Sequence, residues 1–224
     1  LRRYIDIGQT RRVRPSLTVM TADKDDPRFD EFYLGGSEVR LFIALFLTTM
    51  PSYMGLGFEV RDVHHVAAPN EHYTKLYVFQ LQEGPKATYG PYVWGKNGAL
   101  FSALTRLRFY ADAVWPALKG RPVRWLLAPD ATAQNKVLAW TQADRPEYVF
   151  LANTDLWHPV VRFGLPLISD PATAPALSAD FSTSRLPVPP ADQELASNGV
   201  HYRVTLLRPG EGRVYRVSEG DTPA

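Results

Sequence analysis

The chain contains no cysteine among its 224 residues. This absence excludes disulfides, thiolate nucleophiles and zinc sites with cysteine ligands. The chain also has little excess charge, because 25 Lys and Arg stand against 23 Asp and Glu. We therefore expect neither a nucleic acid nor an anionic membrane as a partner, since a nearly neutral protein attracts neither electrostatically.

Long apolar runs are missing as well. The longest one, from Leu41 to Leu47, is far shorter than the roughly 20 residues that a membrane-spanning helix needs. No signal peptide pattern is visible at the start of the sequence, so a cytoplasmic location is the expectation. The first residue is Leu1 rather than Met, and from this we expect an N-terminal part that precedes the sequence.

What the sequence does contain divides into two unlike halves. Its 19 prolines disfavour an all-helical fold. In the first half, short apolar segments that fit buried strands alternate with helical patterns. The pattern predicts a strand at 17–20, a helix at 38–47 after the N-cap Ser37, a strand at 52–60 and a helix at 98–115. Pro116 and Gly120 are predicted to end the last helix.

From residue 121 onward the apolar period changes to two, which predicts short antiparallel strands. Tyr202, Val204 and Leu206 are predicted to face the core from one of them. The predicted fold class is therefore α/β followed by all-β, with an antiparallel β-sandwich as the second part. Two β/α units cannot cover both faces of a parallel sheet, so the first part is predicted to belong to a larger α/β structure. The predicted strands are 123–128, 137–141, 148–152, 160–163, 177–181, 202–206 and 214–217.

Four motifs follow one another in this framework. Residues 20–29 read Met-Thr-Ala-Asp-Lys-Asp-Asp-Pro-Arg-Phe, and residues 50–60 carry a Gly-Phe-Glu-Val ending. Val-Leu-Ala-Trp follows at 137–140 and Tyr-Val-Phe-Leu-Ala-Asn at 148–153. In this order they resemble the C-terminal part of the α-amylase superfamily of glycoside hydrolases and transglycosidases. The Gly-Phe-Glu form resembles its maltosyltransferase branch.

The resemblance implies a fold and a division into domains. Residues 1–120 would be the C-terminal part of a (β/α)8 barrel, the TIM barrel, and residues 121–224 an antiparallel β-sandwich domain. In the family, the first motif usually reads F-x-x-N-H-D. Here Asp23 stands where Asn is usual and Lys24 where His is usual.

The resemblance also implies a chemistry. The enzyme would hydrolyse or transfer α-glucosidic linkages with retention, and it would need no cofactor. The two main catalytic carboxylates would lie upstream of this chain. Asp25 would supply the third carboxylate, and the residues implied in substrate binding are Lys24, Arg28, Tyr89, Tyr92 and Trp94. The expected partners are an α-glucan or malto-oligosaccharide and the missing N-terminal part of the same protein.

Two other functions remain open at this point. The chain could be a non-catalytic carbohydrate-binding module, or a degenerate amylase-like domain with a structural or interaction role. A homo-oligomer is also open, since a second copy could cover the incomplete barrel. We predict no metal site, because His64 and His65 are adjacent and would point to opposite sides of an extended segment.

Overall fold

The computed structural model describes residues 17–19, 36–47, 51–53, 98–127 and 136–218. Within these ranges, no helix is both long enough and apolar enough to cross a membrane. The elements in chain order are β1 (Leu17–Val19), α1 (Gly36–Leu47), β2 (Pro51–Tyr53), α2 (Gly98–Leu118), β3 (Val123–Trp125), β4 (Val137–Gln142), β5 (Tyr148–Asn153), β6 (Val160–Pro166), β7 (Leu177–Ser182), a 3₁₀ helix (Pro190–Asp192), β8 (Glu194–Leu195), β9 (His201–Leu207) and β10 (Gly212–Val217).

The first three elements form a parallel β–α–β unit. β1 and β2 pair in parallel, with Leu17 opposite Pro51 and Val19 opposite Tyr53. α1 lies between them in sequence and packs against both strands. The predicted strand at 17–20 and the predicted helix at 38–47 are confirmed, but the helix begins at Gly36, so Ser37 lies inside it and is not its N-cap as predicted. β2 overlaps the start of the predicted strand at 52–60.

The second half is built from antiparallel sheets, as its period-two pattern predicts. Six strands form one sheet in the order β3-β4-β5-β10-β7-β8, and β6 pairs with β9 in a second sheet. All seven strands predicted in this half are present, with boundaries that differ by a few residues. β8, which has two residues, is an additional strand that ends one edge of the large sheet. Such a short edge strand offers little backbone for unwanted pairing with another chain.

The central strands β4, β5 and β10 of the large sheet are buried on both faces over most of their length, and they carry apolar residues on both sides. On one face, Trp140, Phe150 and Val214 share a core with α1 and α2. On the other face, Val149, Leu151 and neighbouring residues pack against β6 and β9. The molecule therefore has helices, a large sheet and a small sheet as successive layers. The shared core crosses the predicted boundary at residue 120, and the division into two domains stays a prediction.

Close contacts hold α1 against the large sheet. The Phe42 side chain is fully buried and lies directly over the backbone of Gly212 in β10. The Trp140 indole Nε1 donates a buried hydrogen bond of 3.2 Å to the Phe46 carbonyl oxygen. That carbonyl lies in the last turn of α1, where helix carbonyls lack intrahelical partners. The sheet thus completes the hydrogen bonding of the helix end.

The contact at Gly212 leads to a stability prediction. A methyl group there would lie 2.6 Å from Cδ2 of the buried Phe42 ring, so Gly212→Ala should force the helix away from the sheet. We expect the free energy of unfolding to fall by about 2–3 kcal/mol, as for overpacked cores. Urea unfolding followed by circular dichroism measures this change.

Gly164→Ala provides the control for that experiment. Gly164 is also a strand glycine, but the atoms nearest to its added methyl group belong to the His201 side chain, the first at 3.0 Å. His201 is half-buried and can move, so the loss should be smaller. The double variant Gly212→Ala/Phe42→Leu should recover part of the lost stability. Equal losses for the two glycine variants would contradict the proposed contact.

Two predictions for later elements are also wrong, the burial of Leu206 in β9 and the end of α2 at residue 115. Strict alternation predicts Leu206 in the core, but the structure buries Leu207 and leaves Leu206 half-buried. α2 continues to Leu118, past the predicted end at residue 115, with Pro116 inside the helix. A proline removes only one N–H donor, and helical hydrogen bonding is present beyond it, since Lys119 N donates to the Trp115 carbonyl oxygen at 2.9 Å.

Candidate functional site

The predicted site residues lie outside the described residues. They are Asp25, Lys24, Arg28, Tyr89, Tyr92 and Trp94, and the three histidines His64, His65 and His72 lie outside as well. The structure does describe the two strands that these segments follow in the sequence. β1 and β2 are parallel and in register, so both end at the same edge of the pair. In the sequence, Asp25 comes six residues after Val19, the last residue of β1.

No metal site is formed by the described residues. In the ranges that the structure covers, no group of three or more His, Asp or Glu side chains is arranged to hold a metal ion. The charged side chains of this part of the chain include a buried network and a surface cluster.

The buried network has Arg213 of β10 at its centre. The Arg213 side chain is completely inaccessible to solvent, as are the side chains of Asp192 and Glu211. Nη1 of Arg213 lies 3.1 Å from Oδ2 of Asp192, and Nη2 lies 2.8 Å from Oε1 of Glu211. The guanidinium also donates to the Tyr215 hydroxyl at 3.0 Å and to the Leu206 carbonyl oxygen at 2.7 Å.

The two carboxylates accept further hydrogen bonds from the backbone. The Asp192 carboxylate accepts from Thr205 N at 2.8 Å and from Leu206 N at 3.1 Å. These bonds fall where the burial of β9 loses its alternation, between Val204 and Leu207. The backbone of Arg162 on the paired strand β6 has a positive φ of 50°. We conclude that Asp192, which follows Pro190 in the 3₁₀ helix, supports this irregular stretch of the small sheet.

The Glu211 carboxylate is satisfied in the same way. Oε2 accepts from Arg208 N at 2.8 Å, and Oε1 accepts from Ser182 Oγ at 2.8 Å. Glu211 therefore joins β7, the β9–β10 turn and β10. Each charged group of the network has hydrogen-bonding partners, which is the condition for burying charge at acceptable cost.

The network is closed to substrates. Burial raises the pKa of Tyr215 to about 12, so its hydroxyl stays neutral at physiological pH. Because Arg213, Asp192, Glu211 and Tyr215 are all buried, no substrate reaches them in the folded protein. The arrangement fixes β9, β10 and the 3₁₀ helix relative to one another, and its role is structural.

The surface cluster joins α2 to the large sheet. The Tyr110 hydroxyl donates to Asp180 Oδ2 at 2.5 Å, and Arg216 Nη2 lies 3.2 Å from the same oxygen. Tyr110 also stacks on Phe181, with ring centroids 4.5 Å apart. Burial and the Asp180 carboxylate raise the pKa of Tyr110 well above its ordinary value. Tyr110 therefore remains a hydrogen-bond donor at any ordinary pH.

An open groove of about 590 Å³ lies beside this cluster. Arg216 on its wall is already paired with Asp180, and its guanidinium lies 5.7 Å from the centroid of the Tyr148 ring. Glu147 on the wall is paired with Arg121. The groove therefore offers no specific charge to a ligand. Its lining consists of Arg145, Pro146, Glu147, Tyr148, Arg216, Val217 and Ser218.

Comparison with models of known protein families and with curated proteins finds no match for the chain. The α-amylase resemblance therefore depends on the four motifs in the sequence. The structural observation that accompanies the motifs is the order of elements, in which a parallel β–α–β unit is followed by antiparallel sheets.

The motifs assign no role to the turn between β5 and β6. The structure shows that Trp157 in this turn is 60% exposed. The sequence offers one signal for an ordered turn, the Asn153-Thr154-Asp155 segment, because Asn and Asp side chains cap local backbone.

Proposed function

We propose that the chain is the C-terminal portion of a retaining enzyme that hydrolyses or transfers α-glucosidic linkages. The observation that carries the proposal is the parallel, in-register pairing of β1 and β2 around α1. The motif with Asp25 follows the first of these strands in the sequence, and the Gly-Phe-Glu motif follows the second. A TIM barrel places its active site at the carboxyl ends of its parallel strands.

Asp25 has the chemistry that the third carboxylate requires. A carboxylate that hydrogen-bonds sugar hydroxyls and faces an oxocarbenium-like centre stabilises positive charge as it develops in the transition state. Lys24 would donate to a hydroxyl in place of the usual histidine, as a flexible point charge. Arg28 would bind a hydroxyl in the same region. Tyr89, Tyr92 and Trp94 would offer flat faces for sugar rings.

The nucleophile and the acid/base would come from barrel strands that this chain does not contain. A retaining glycosidase holds these two carboxyl groups about 5–5.5 Å apart and forms a covalent glycosyl-enzyme intermediate. In the proposed enzyme, the 224 residues thus complete the substrate site and supply the β-sandwich. A parallel pair of strands also needs cover on both faces, and the remaining barrel would provide it.

The anomeric form of the first product tests this proposal. The full-length enzyme is incubated with maltoheptaose, and the products are followed by ¹H NMR before mutarotation. We expect the α-anomer, because two displacements retain the configuration. The 224-residue chain alone should give no product, since the proposal places the nucleophile on a strand outside these residues. A β-anomeric product, or glucan hydrolysis by the chain alone, would contradict the proposal.

A further inference from the structure

The turn between β5 and β6 is fixed by hydrogen bonds of the buried Asn153 side chain. The Asn153 side chain is fully buried, and its Nδ2 donates to the carbonyl oxygens of His158 at 3.0 Å and Arg208 at 2.9 Å. Its Oδ1 accepts from Asp155 N at 3.0 Å. Gly210 N in the β9–β10 turn donates to the Asp155 carbonyl oxygen at 2.9 Å. One buried amide therefore links both ends of the turn to the neighbouring turn.

The Asp155 carboxylate fixes the backbone of the turn itself. Its Oδ1 accepts from Trp157 N at 2.9 Å and from His158 N at 3.0 Å. Its Oδ2 lies 2.7 Å from Lys136 Nζ and 3.1 Å from His158 Nδ1. The Lys136 ammonium and the two backbone donors hold the pKa of Asp155 well below its usual range. These contacts stay in place over the ordinary pH range, because the carboxylate remains charged.

Trp157 projects from this rigid turn with 60% of its surface exposed. The backbone around it is already ordered, so the protein loses little conformational entropy when a ligand stacks on the indole. Beside it, the His158 side chain is 70% exposed and the Lys136 side chain is 47% exposed. The turn therefore combines an apolar ring face with hydrogen-bonding groups.

The balanced charge of the turn disfavours charged ligands. Lys136 and Asp155 compensate each other, so the site has no excess positive charge for a phosphate or a nucleic acid backbone. A protein partner would need a much larger contact, about 800 Å² on each side. A pyranose ring matches both the exposed indole face and the hydrogen-bonding groups of the turn, because it has an apolar C–H face and neutral hydroxyl groups at its rim.

We infer that the Trp157 turn is a binding site for a neutral oligosaccharide, with one sugar ring stacked on the indole. Lys136 donates to hydroxyl groups of the sugar, and the exposed imidazole of His158 exchanges hydrogen bonds with them. Asp155 acts indirectly by positioning these groups. The site contains no residue of the segment with Asp25, and only the choice of an α-glucan as its ligand rests on the proposed function.

Isothermal titration calorimetry of the 224-residue chain tests the inference, with maltoheptaose, cellohexaose and xylohexaose as probes. We expect one of them to bind, with an affinity that falls about tenfold or more in Trp157→Ala, as for a central aromatic anchor. Trp157→Phe should lose less. Phe109→Ala is the matched control, because Phe109 is another exposed aromatic residue, 72% exposed on α2.

The outcomes separate this site from the proposed catalytic function. Binding that falls in Trp157→Ala and stays native in Phe109→Ala supports the site at the turn, whichever oligosaccharide binds. If cellohexaose binds and maltoheptaose does not, the turn remains a sugar site and its assignment to α-glucans is lost. The inference is overturned if none of the three probes binds, or if Trp157→Ala binds as tightly as the native chain.

Discussion

In the proposed full-length enzyme, Asp25→Asn is expected to lower kcat on malto-oligosaccharides by about 10²- to 10³-fold. This is the loss seen when one preorganised electrostatic group is removed from a transition state. Asn keeps the size of the side chain and its hydrogen-bonding capacity, but it has no negative charge to face the oxocarbenium-like centre. KM should change much less than kcat, since the interaction strengthens mainly in the transition state. Steady-state kinetics on maltoheptaose give both values.

Asp26→Asn is the control for this prediction. Asp26 is the next residue in the sequence and precedes Pro27, so the substitution removes the same charge from the same segment. It should leave kcat near the native value. A similar loss in both variants would mean that the segment needs its overall charge rather than one catalytic carboxylate. A native rate in Asp25→Asn would remove Asp25 from the proposed site.

Arg213→Met is expected to lower the free energy of unfolding by about 3–5 kcal/mol, the usual result of breaking a buried ion pair from one side. Methionine replaces much of the volume, but it leaves Asp192 and Glu211 buried without their shared cation. Chemical unfolding measured by circular dichroism checks the value. Arg216→Met provides a control on the same strand, because Arg216 is 59% exposed in its pair with Asp180. Exposed pairs contribute at most about 1 kcal/mol.

The pH dependence of the Arg213→Met variant gives a second readout. Buried carboxylates without a cation have raised pKa values. The folded variant then binds more protons than its unfolded chain, so its stability rises as the pH falls. The difference between the variant and the native protein should narrow between pH 7 and about pH 5. A difference that stays constant with pH would indicate lost packing rather than unpaired charge.

Local patterns in the sequence predict most of the elements. The period of two from residue 121 onward identifies seven strands of the antiparallel part, since alternation reflects burial on a sheet face. The end of α2 is missed because Pro116 removes only a single hydrogen bond in the last turn. Leu206 is misplaced because Asp192, 14 residues away in the sequence, changes the local geometry of β9. Periodicity contains no information about such a contact.

The candidate sites also differ in how far the sequence reveals them. The motif with Asp25 is visible in the sequence because its residues are neighbours. The network around Arg213 is invisible there, since Asp192 comes 21 residues earlier and meets it only in the folded chain. The rigid turn at Trp157 is only partly predictable from the sequence. Asn153 and Asp155 indicate a turn, but only the fold shows that the tryptophan remains outside the core.

The position of β10 has a consequence for synthesis on the ribosome. Among the described residues, β10 is the last strand in the sequence, yet it lies inside the large sheet, between β5 and β7. Until residues 212–217 leave the exit tunnel, β5 and β7 lack their common neighbour and each exposes an unpaired edge. Exposed edges of this kind recruit other chains. The nascent protein therefore remains open to aggregation through these two edges until β10 emerges and completes the sheet.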